Sequence, residues 1–472
     1  MVFSSILFLL YFLPVFLTIY WLLNKRFKNP FLLIASISFY TWGAPQFVLI
    51  LLASTIIDFY IVKSLHSSGN QNKRKRLLAI SLTMNLGLLA YFKYANFFVE
   101  NFNSVLNQLN IESVGWTSVV LPIGISFYTF QTLTYAIDVY RREHAPLQKL
   151  NDYLLYILSF PQMIAGPIVR YKSIADQIPV RNETIDDKIL GFYRFCLGLA
   201  KKVFIANVLG EVASEYLNAP IGDLNFTQAW VGILAYTFQI YFDFAGYSDM
   251  AIGLGRMIGF TFPENFNNPY NSRNITEFWQ RWHMTLSGWM RDYLYIPLGG
   301  SRVESRFRLF FNLSFVFLIS GLWHGASWNF VLWGAYHGLF LILERLFLKT
   351  VLQKSGKLIS VFVTFFIVVI GWVFFSIDST EHAIAYVLRL FTFEFASLPS
   401  LPNEFWFTLI LATFASFIGI ASFGKKLEKL VYIESITLRH QLVRIGLSAL
   451  LFVFSVSAIA GTGFNPFIYF RF

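Results

Sequence analysis

The chain has 472 residues, of which 56% are hydrophobic, 19% aromatic and only 13% charged. Soluble globular proteins carry about 25% charged residues, so this composition excludes that class and indicates a polytopic membrane protein. The net charge of +11 does not indicate nucleic-acid binding, because the basic residues lie beside apolar runs and form no separate basic domain. The single cysteine, Cys196, excludes intramolecular disulfides and thiolate clusters, and we expect no metal site.

The N-terminal segment 1–24 contains no charged residue, and a basic segment at 25–28 follows it. A cleaved signal peptide carries its basic residues before the apolar run, so we expect an uncleaved first membrane helix. The next apolar run, 29–57, is interrupted by Gly43-Ala44-Pro45, which is a turn signal. This run therefore predicts a helical hairpin.

Apolar runs recur along the whole chain and predict roughly ten to thirteen membrane spans in an all-α protein. The run 113–137 carries Pro122 and Gly124 in its middle, which favours a broken or re-entrant helix. We find no long flexible linker and no internal repeat. The economical interpretation is a single membrane domain over residues 1–472.

The basic segments indicate the topology, because short loops rich in Lys and Arg stay on the cytoplasmic side. The segment 100–116 has two acidic and no basic residues, so we expect it to face outward. The segments expected to face the cytoplasm are 25–28, 73–76, 141–149 and 425–429.

Segment 264–308 differs from the predicted spans. It is too polar to cross a membrane, yet it is dense in Trp, Tyr and Arg, as in Phe278-Trp279-Gln280-Arg281-Trp282-His283. Aromatic rings and basic groups of this kind collect at membrane interfaces. We therefore expect segment 264–308 to be interfacial, on the cytoplasmic side.

The run 309–343 contains no Lys, Arg, Asp or Glu, yet it contains His324. Thirty-five uncharged residues fit two short spans better than one, and the small residues of segment 321–327 suggest a break beside the histidine. Ionisable side chains at such depth are costly and mark functional sites by default. The alternative is a histidine that only hydrogen-bonds a neighbouring helix.

His283, in the interfacial segment, is the second histidine in unusual sequence, and it could converge with His324 on one cavity. Histidine titrates near neutral pH, so either ring could serve as a general base. The alternative for His283 is an interfacial anchor like its Trp neighbours. His337 lies thirteen residues after His324 on a different helix face, so we expect it to make a structural hydrogen bond.

Asp243 and Asp249 form a polar island after an apolar run. Their spacing of six residues places them on different helix faces, which argues against a carboxylate pair that shares one proton. Buried charges persist best when they are partnered, so we expect ion pairs with Arg281, Arg291 or another base, in which the carboxylates could line a cavity wall.

Several motifs together resemble the membrane-bound O-acyltransferase family, and the resemblance covers nearly the whole chain, including the opening 1–5 and the ending 465–470. The motifs are Leu121-Pro122-Ile123-Gly124-Ile125-Ser126-Phe127-Tyr128, Ala165-Gly166-Pro167, Tyr241-Phe242-Asp243-Phe244 and on to Asp249, the segment 278–283, Arg291-Asp292-Tyr293-Leu294-Tyr295-Ile296-Pro297-Leu298-Gly299-Gly300 and Leu322-Trp323-His324-Gly325.

The resemblance implies a helical bundle around a central tunnel, with His324 as the catalytic histidine and His283 in the same tunnel. It suggests Asp243, Trp323 and Asn329 as tunnel-lining residues. Within the family, the chain is similar to a bacterial branch that O-acetylates extracytoplasmic polysaccharides such as alginate. This branch implies an inner-membrane location, acetyl-CoA as the donor and a separate extracytoplasmic acetyltransferase as partner.

On this basis, we expect His324 to deprotonate an acceptor hydroxyl that attacks a bound acyl thioester, while Arg281 and Arg291 hold the phosphates of the donor. Two alternatives remain open. One is D-alanyl transfer to teichoic acid, which a related branch of the family performs. The other is a proton-coupled transporter, since broken helices and buried ionisable groups also occur in transporters.

Overall fold

The structure is a computed structural model that describes residues 2–394, 396–432 and 437–461. Within these residues every regular element is a helix, which confirms the predicted all-α class. The opening motif is described from its second residue, whereas the ending motif 465–470 lies outside the described residues. The chain divides into two compact units: unit 1 comprises 1–184 and 254–263, and unit 2 comprises 185–253 and 264–472. The single domain over 1–472 stays a prediction.

Unit 1 contains eight α-helices among its described residues. They are α1 (Leu13–Leu22), α2 (Lys25–Gly43), α3 (Val48–Ser67), α4 (Gln71–Gln108), α5 (Ile125–Arg141), α6 (Leu150–Leu158), α7 (Phe160–Met163) and α8 (Tyr171–Ile174). The predicted turn at 43–45 separates α2 from α3. The run 113–137 is irregular up to residue 122, and α5 then begins after Gly124, whose φ of +77° favours glycine.

Asp58, near the middle of α3, is the centre of a buried polar network in unit 1. Its Oδ1 accepts hydrogen bonds from Ser81 Oγ at 2.5 Å and Asn85 Nδ2 at 3.0 Å, and its Oδ2 accepts one from Tyr153 Oη at 2.6 Å. Thr132 Oγ1 lies 3.2 Å from Asn85 Oδ1. The network therefore ties α3, α4, α5 and α6 together, and both carboxylate oxygens have donors.

Unit 2 contains the remaining helices of the described chain. They are α9 (Ile185–Ala200), α10 (Val208–Asn218), α11 (Phe226–Met257), α12 (Ile275–Arg281), α13 (Met284–Trp289), α14 (Arg306–His324), α15 (Trp328–Leu343), α16 (Lys349–Lys354), α17 (Lys357–Ser376), α18 (Thr380–Arg389), α19 (Asn403–Phe417), α20 (Ser422–Val431) and α21 (Leu438–Gly461). The last residues of α11 belong to unit 1. Segment 264–308 folds into short helical pieces, and its interfacial position stays a prediction.

Seven helices of the described chain are long and apolar enough to cross a membrane, fewer than the ten to thirteen that the sequence predicts. The difference arises because several predicted runs form shorter helices or helices that are too polar; α5, for example, has only 17 residues. The seven candidate spans are Pro45–Ser67, Gln71–Gln108, Arg306–His324, Trp328–Lys354, Lys357–Ser376, Asn403–Ile420 and Leu438–Gly461.

Candidate active site

The break between α14 and α15 gives the site its shape. α14 ends at His324 and α15 begins at Trp328, as the small residues of segment 321–327 suggested. The two helices pack backbone against backbone, because a Cβ at Gly321 would overlap the Phe330 carbonyl and a Cβ at Gly334 would overlap the Phe317 carbonyl. Small residues of this kind allow membrane helices to approach closely. This packing places His324, the last residue of α14, in the interior of unit 2.

His324 is only 4% exposed and lies among aromatic rings. Its ring centroid is 4.9 Å from that of Trp323, 5.1 Å from that of Trp333 and 5.1 Å from that of Phe375. All three rings meet the imidazole edge to face, an arrangement that fixes ring orientation. The imidazole is therefore held in one position by packing against three different surfaces.

A small cavity opens beside the His324 ring. Its walls come from α11, α15 and α17, from Trp282 between α12 and α13, and from the histidine that ends α14. The lining residues are Ile240, Phe244, Trp282, His324, Trp333, Trp372 and Phe375. Within this lining the histidine is the one ionisable side chain, so the cavity couples a potential base to an apolar enclosure.

His283 lies next to this cavity, between α12 and α13. It is 1% exposed, and its φ of +43° is unusual for a residue with a side chain. Its ring centroid lies 6.4 Å from that of His324 and 4.7 Å from that of Phe244. The two imidazoles are therefore neighbours inside unit 2. The structure thus brings together the two histidines that the sequence singled out.

The backbone around His283 is held by a neighbouring loop. Asn265 accepts hydrogen bonds from Met284 N at 2.9 Å, through its carbonyl, and from Thr285 Oγ1 at 2.9 Å, through its side chain. Asn267 N also donates to the Arg281 carbonyl at 2.9 Å. These bonds hold His283 in its strained backbone conformation, as is common where a structure must aim a functional side chain.

Burial determines the charge of His283. Because the fully enclosed ring is removed from water, its pKa falls to about 3. His283 is therefore neutral at physiological pH. A neutral imidazole can donate through one ring nitrogen and accept through the other, whereas an imidazolium can only donate.

Asn329 and Asp243 are also buried, each 1% exposed. Asn329 lies in the first turn of α15, and its amide nitrogen donates to the Ile377 carbonyl. Asp243 Oδ1 lies 2.8 Å from Nζ of Lys202, which is itself buried. Asp243 therefore forms an ion pair, as expected, but its partner is Lys202 and neither Arg281 nor Arg291. Neither Asn329 nor Asp243 lines the cavity beside His324, so their predicted place on a tunnel wall stays a prediction.

Asp249 also forms the ion pairs expected of it. Its Oδ1 lies 2.8 Å from Arg194 Nη2, and its Oδ2 lies 2.6 Å from Lys201 Nζ. The partner bases come from α9 and the π-helical turn that follows it, segment 201–207. The carboxylates of α11 are thus paired with bases that precede them in the chain.

Arg281 and Arg291, the predicted donor-binding residues, lie apart from the cavity. Arg281 pairs with Glu277 at 2.8 Å, one turn away on α12. Arg291 is 64% exposed in its side chain and pairs with the adjacent Asp292 at 2.7 Å. Neither arginine pairs with Asp243 or lines the cavity, so the structure does not bring them together with the histidines.

The predicted hydrogen bond of His337 is wrong. The ring is 0% exposed, and neither nitrogen has a hydrogen-bond partner among the described residues. It packs instead against Trp279 and Trp333, with centroids at 4.9 Å and 5.1 Å. Trp333 thus contacts both His324 and His337. Sequence analysis missed Trp333, Trp372 and Phe375, because an aromatic residue in an apolar run gives no signal of whether it faces lipid or a cavity.

Comparison with known proteins gives consistent results. The family model described as membrane-bound O-acyltransferase matches residues 73–379. The chain is 39% identical to the probable alginate O-acetylase of Azotobacter vinelandii and 40% identical to that of Pseudomonas putida, with all of both chains covered in each case. It is 36% identical to the peptidoglycan O-acetyltransferase of Helicobacter pylori, over 86% of this chain and 82% of the relative. The predicted resemblance is confirmed: this multi-pass membrane protein belongs to the membrane-bound O-acyltransferase family.

Proposed function

We propose that this acyltransferase moves acetyl groups from acetyl-CoA, on the cytoplasmic side, to hydroxyl groups of an extracytoplasmic, alginate-like polysaccharide. The observation that carries the proposal is the position of His324, a buried imidazole at a helix break beside an apolar cavity. The names of the relatives support acetyl as the transferred group, because both alginate O-acetylases and a peptidoglycan O-acetyltransferase match most of the chain.

In the proposed reaction, His324 accepts the proton of an acceptor hydroxyl. The hydroxyl oxygen attacks the carbonyl carbon of the thioester, and the C–S bond breaks. The leaving thiolate then takes the proton from the His324 imidazolium, so the products are an ester and a free thiol. This general base function suits a histidine, whose ordinary pKa lies near the working pH.

His283 would assist as a neutral partner. Its low pKa excludes it as a positive charge that holds the donor at neutral pH. Its distance from His324 suits a hydrogen bond to a group bound between the two rings. We therefore assign His283 to the orientation of the thioester or the acceptor.

The aromatic walls would protect the reaction from water. A thioester is open to hydrolysis, and an enclosed apolar site excludes the competing nucleophile. The cavity beside His324 is small, so we expect only the reacting end of the donor, and not the whole coenzyme, to reach the histidine.

The proposed transfer runs from a cytoplasmic donor to an acceptor outside the membrane, and this direction suggests a partner protein. A donor that is used on the cytoplasmic side and a product that forms outside require the acyl group to cross the membrane. We propose that a separate extracytoplasmic acetyltransferase completes transfer to the sugar, and that the protein lies in the bacterial inner membrane.

The test uses the full chain in liposomes with acetyl-CoA labelled in the acetyl group. We expect label to reach a hydroxyl acceptor, and we expect His324→Ala to lower the rate about 10²- to 10⁴-fold. His440→Ala is the matched control, because that ring is exposed in the described chain. A His324→Ala protein that inserts normally and transfers acetyl at the wild-type rate would refute the assignment.

The same preparation separates the alternatives. A D-alanyl thioester offered beside acetyl-CoA tests D-alanyl transfer, and preference for D-alanine would overturn the acetyl proposal. Uptake of solute or protons into sealed liposomes without acyl transfer would identify a transporter instead.

A further inference from the structure

The short helix α20 lies between two membrane spans. The preceding span, Asn403–Ile420, ends two residues before α20 begins, and the following span begins at Leu438. A span ends where the hydrocarbon ends, so the start of α20 must lie close to the membrane surface. Its sequence, Ser422–Val431, combines three lysines with three large apolar residues.

The two residue types occupy different sides of α20. Phe423, Leu427 and Leu430 are spaced by four and three residues, so they share one side of the helix. Their side chains are 69%, 38% and 63% exposed. Lys425, Lys426 and Lys429 occupy another side and are also exposed. None of these three lysines forms an ion pair within the described residues, so their charges are available to a partner.

A third side of α20 is attached to the body of unit 2, and this attachment fixes the orientation of the helix. Gly424 lies against Ile418, where a Cβ would overlap the Ile418 carbonyl. One turn later, Glu428 Oε1 accepts a hydrogen bond from Asn268 Nδ2 at 2.8 Å. Just after the helix, the Tyr432 hydroxyl accepts one from Lys201 Nζ at 2.8 Å. These contacts prevent the apolar side from turning into the protein.

We propose that α20 is an in-plane membrane helix that binds anionic phospholipids. Phe423, Leu427 and Leu430 enter the acyl layer, while the three lysines contact phosphate groups at the surface. Amphipathic helices with this division bind membranes through both parts, and each basic residue near an anionic surface adds to the attraction. The one acidic residue, Glu428, is engaged by Asn268 and does not oppose the lysines.

The position of the helix can be measured with nitroxide labels. Cys196 is the only cysteine and is buried, so Cys196→Ala provides a background for single labels. With the full chain in liposomes, we expect a label at Leu430→Cys to be reached by oxygen, which concentrates in lipid. We expect a label at Lys426→Cys to be reached by a water-soluble nickel chelate. Equal access of the nickel chelate to both labels would refute the in-plane position.

Lipid selectivity tests the role of the lysines. Spin-labelled phosphatidylglycerol and phosphatidylcholine would be compared for association with the full chain. We expect replacement of Lys425, Lys426 and Lys429 by Gln to lower the preference for phosphatidylglycerol about fivefold or more. The matched control replaces Lys73, Lys75 and Arg76 by Gln, which removes the same charge from exposed positions of α4.

Two outcomes would overturn the lipid proposal. An unchanged preference in the α20 variant would show that the lysines do not contact lipid. An equal loss in both triple variants would show only a general effect of net charge. Inorganic phosphate and free coenzyme A serve as competitors; displacement of phosphatidylglycerol from α20 by either would identify a soluble phosphate compound as the ligand.

Discussion

Asp58 in unit 1 and His324 in unit 2 are both ionisable side chains buried in membrane-spanning helices, but their surroundings differ. Asp58 is surrounded by donors from α4 and α6, and each of its oxygens accepts at least one hydrogen bond. His324 is surrounded by aromatic rings and borders a cavity. Both are less than 5% exposed.

The difference shows that burial depth alone does not identify a catalytic residue. A carboxylate with a complete set of donors stabilises helix packing, because removal of any partner leaves a buried polar atom unsatisfied. An imidazole on a cavity wall can meet a substrate, since the neighbouring space is not filled by protein. The neighbours of an ionisable group therefore distinguish a structural role from a chemical one.

The largest effect on stability should come from Asp58→Ala. The change removes the acceptor that Ser81, Asn85 and Tyr153 share, and each buried donor left unsatisfied costs about 1–3 kcal/mol. We expect a clear fall in the thermal unfolding temperature of the detergent-solubilised protein. Asp58→Asn keeps the shape and should cost less, and the exposed Asp223→Ala should cost almost nothing. A wild-type unfolding temperature for Asp58→Ala would contradict the structural role.

A smaller effect should follow from Gly325→Ala at the break beside His324. A Cβ at this position would overlap the Phe330 ring, so either the ring or the break must move. Overpacking of this kind costs about 1–3 kcal/mol, and it would displace the histidine as well. We expect a lower acetyl-transfer rate together with a modest loss of stability. Gly446→Ala is the control, because a Cβ at that position would meet no other part of the protein. Equal behaviour of both variants would argue against a fixed break.

The smallest effect concerns pH and His283. Its pKa is about 3 in the folded protein and about 6.5 when exposed, so the unfolded chain binds more protons between these values. The free energy of unfolding should therefore fall as the pH drops below 6.5. At pH 6 the His283 ring alone should lower it by about 1 kcal/mol relative to its value at high pH. We expect His283→Gln to reduce the acid sensitivity of the unfolding temperature. It should leave the midpoint of the pH–rate profile unchanged, since His283 does not titrate there; a shifted midpoint would assign that ionisation to His283.

Much of the fold and part of the site follow from local sequence. The turn at 43–45 carries Gly43 and Pro45, and the break near His324 carries the small residues of segment 321–327. Such residues favour interruptions of a helix. The ion pairing of Asp243 was also expected, but its partner Lys202 lies 41 residues earlier in the chain, a distance at which sequence pattern gives no information. The sequence predicts more spans than the seven described helices that are long and apolar enough to cross a membrane, because an apolar run does not reveal whether it will form one long helix.

By itself, the sequence determined that this is a polytopic membrane protein with an ionisable residue in an uncharged run, because the hydrocarbon layer restricts composition strongly. It also carried the family resemblance through its motifs. Only the tertiary structure decided that Trp333, Trp372 and Phe375 enclose a cavity beside His324, and that His283 approaches it from another segment. Aromatic residues suit lipid, core and cavity walls equally well in composition, so their role depends on which helices pack together.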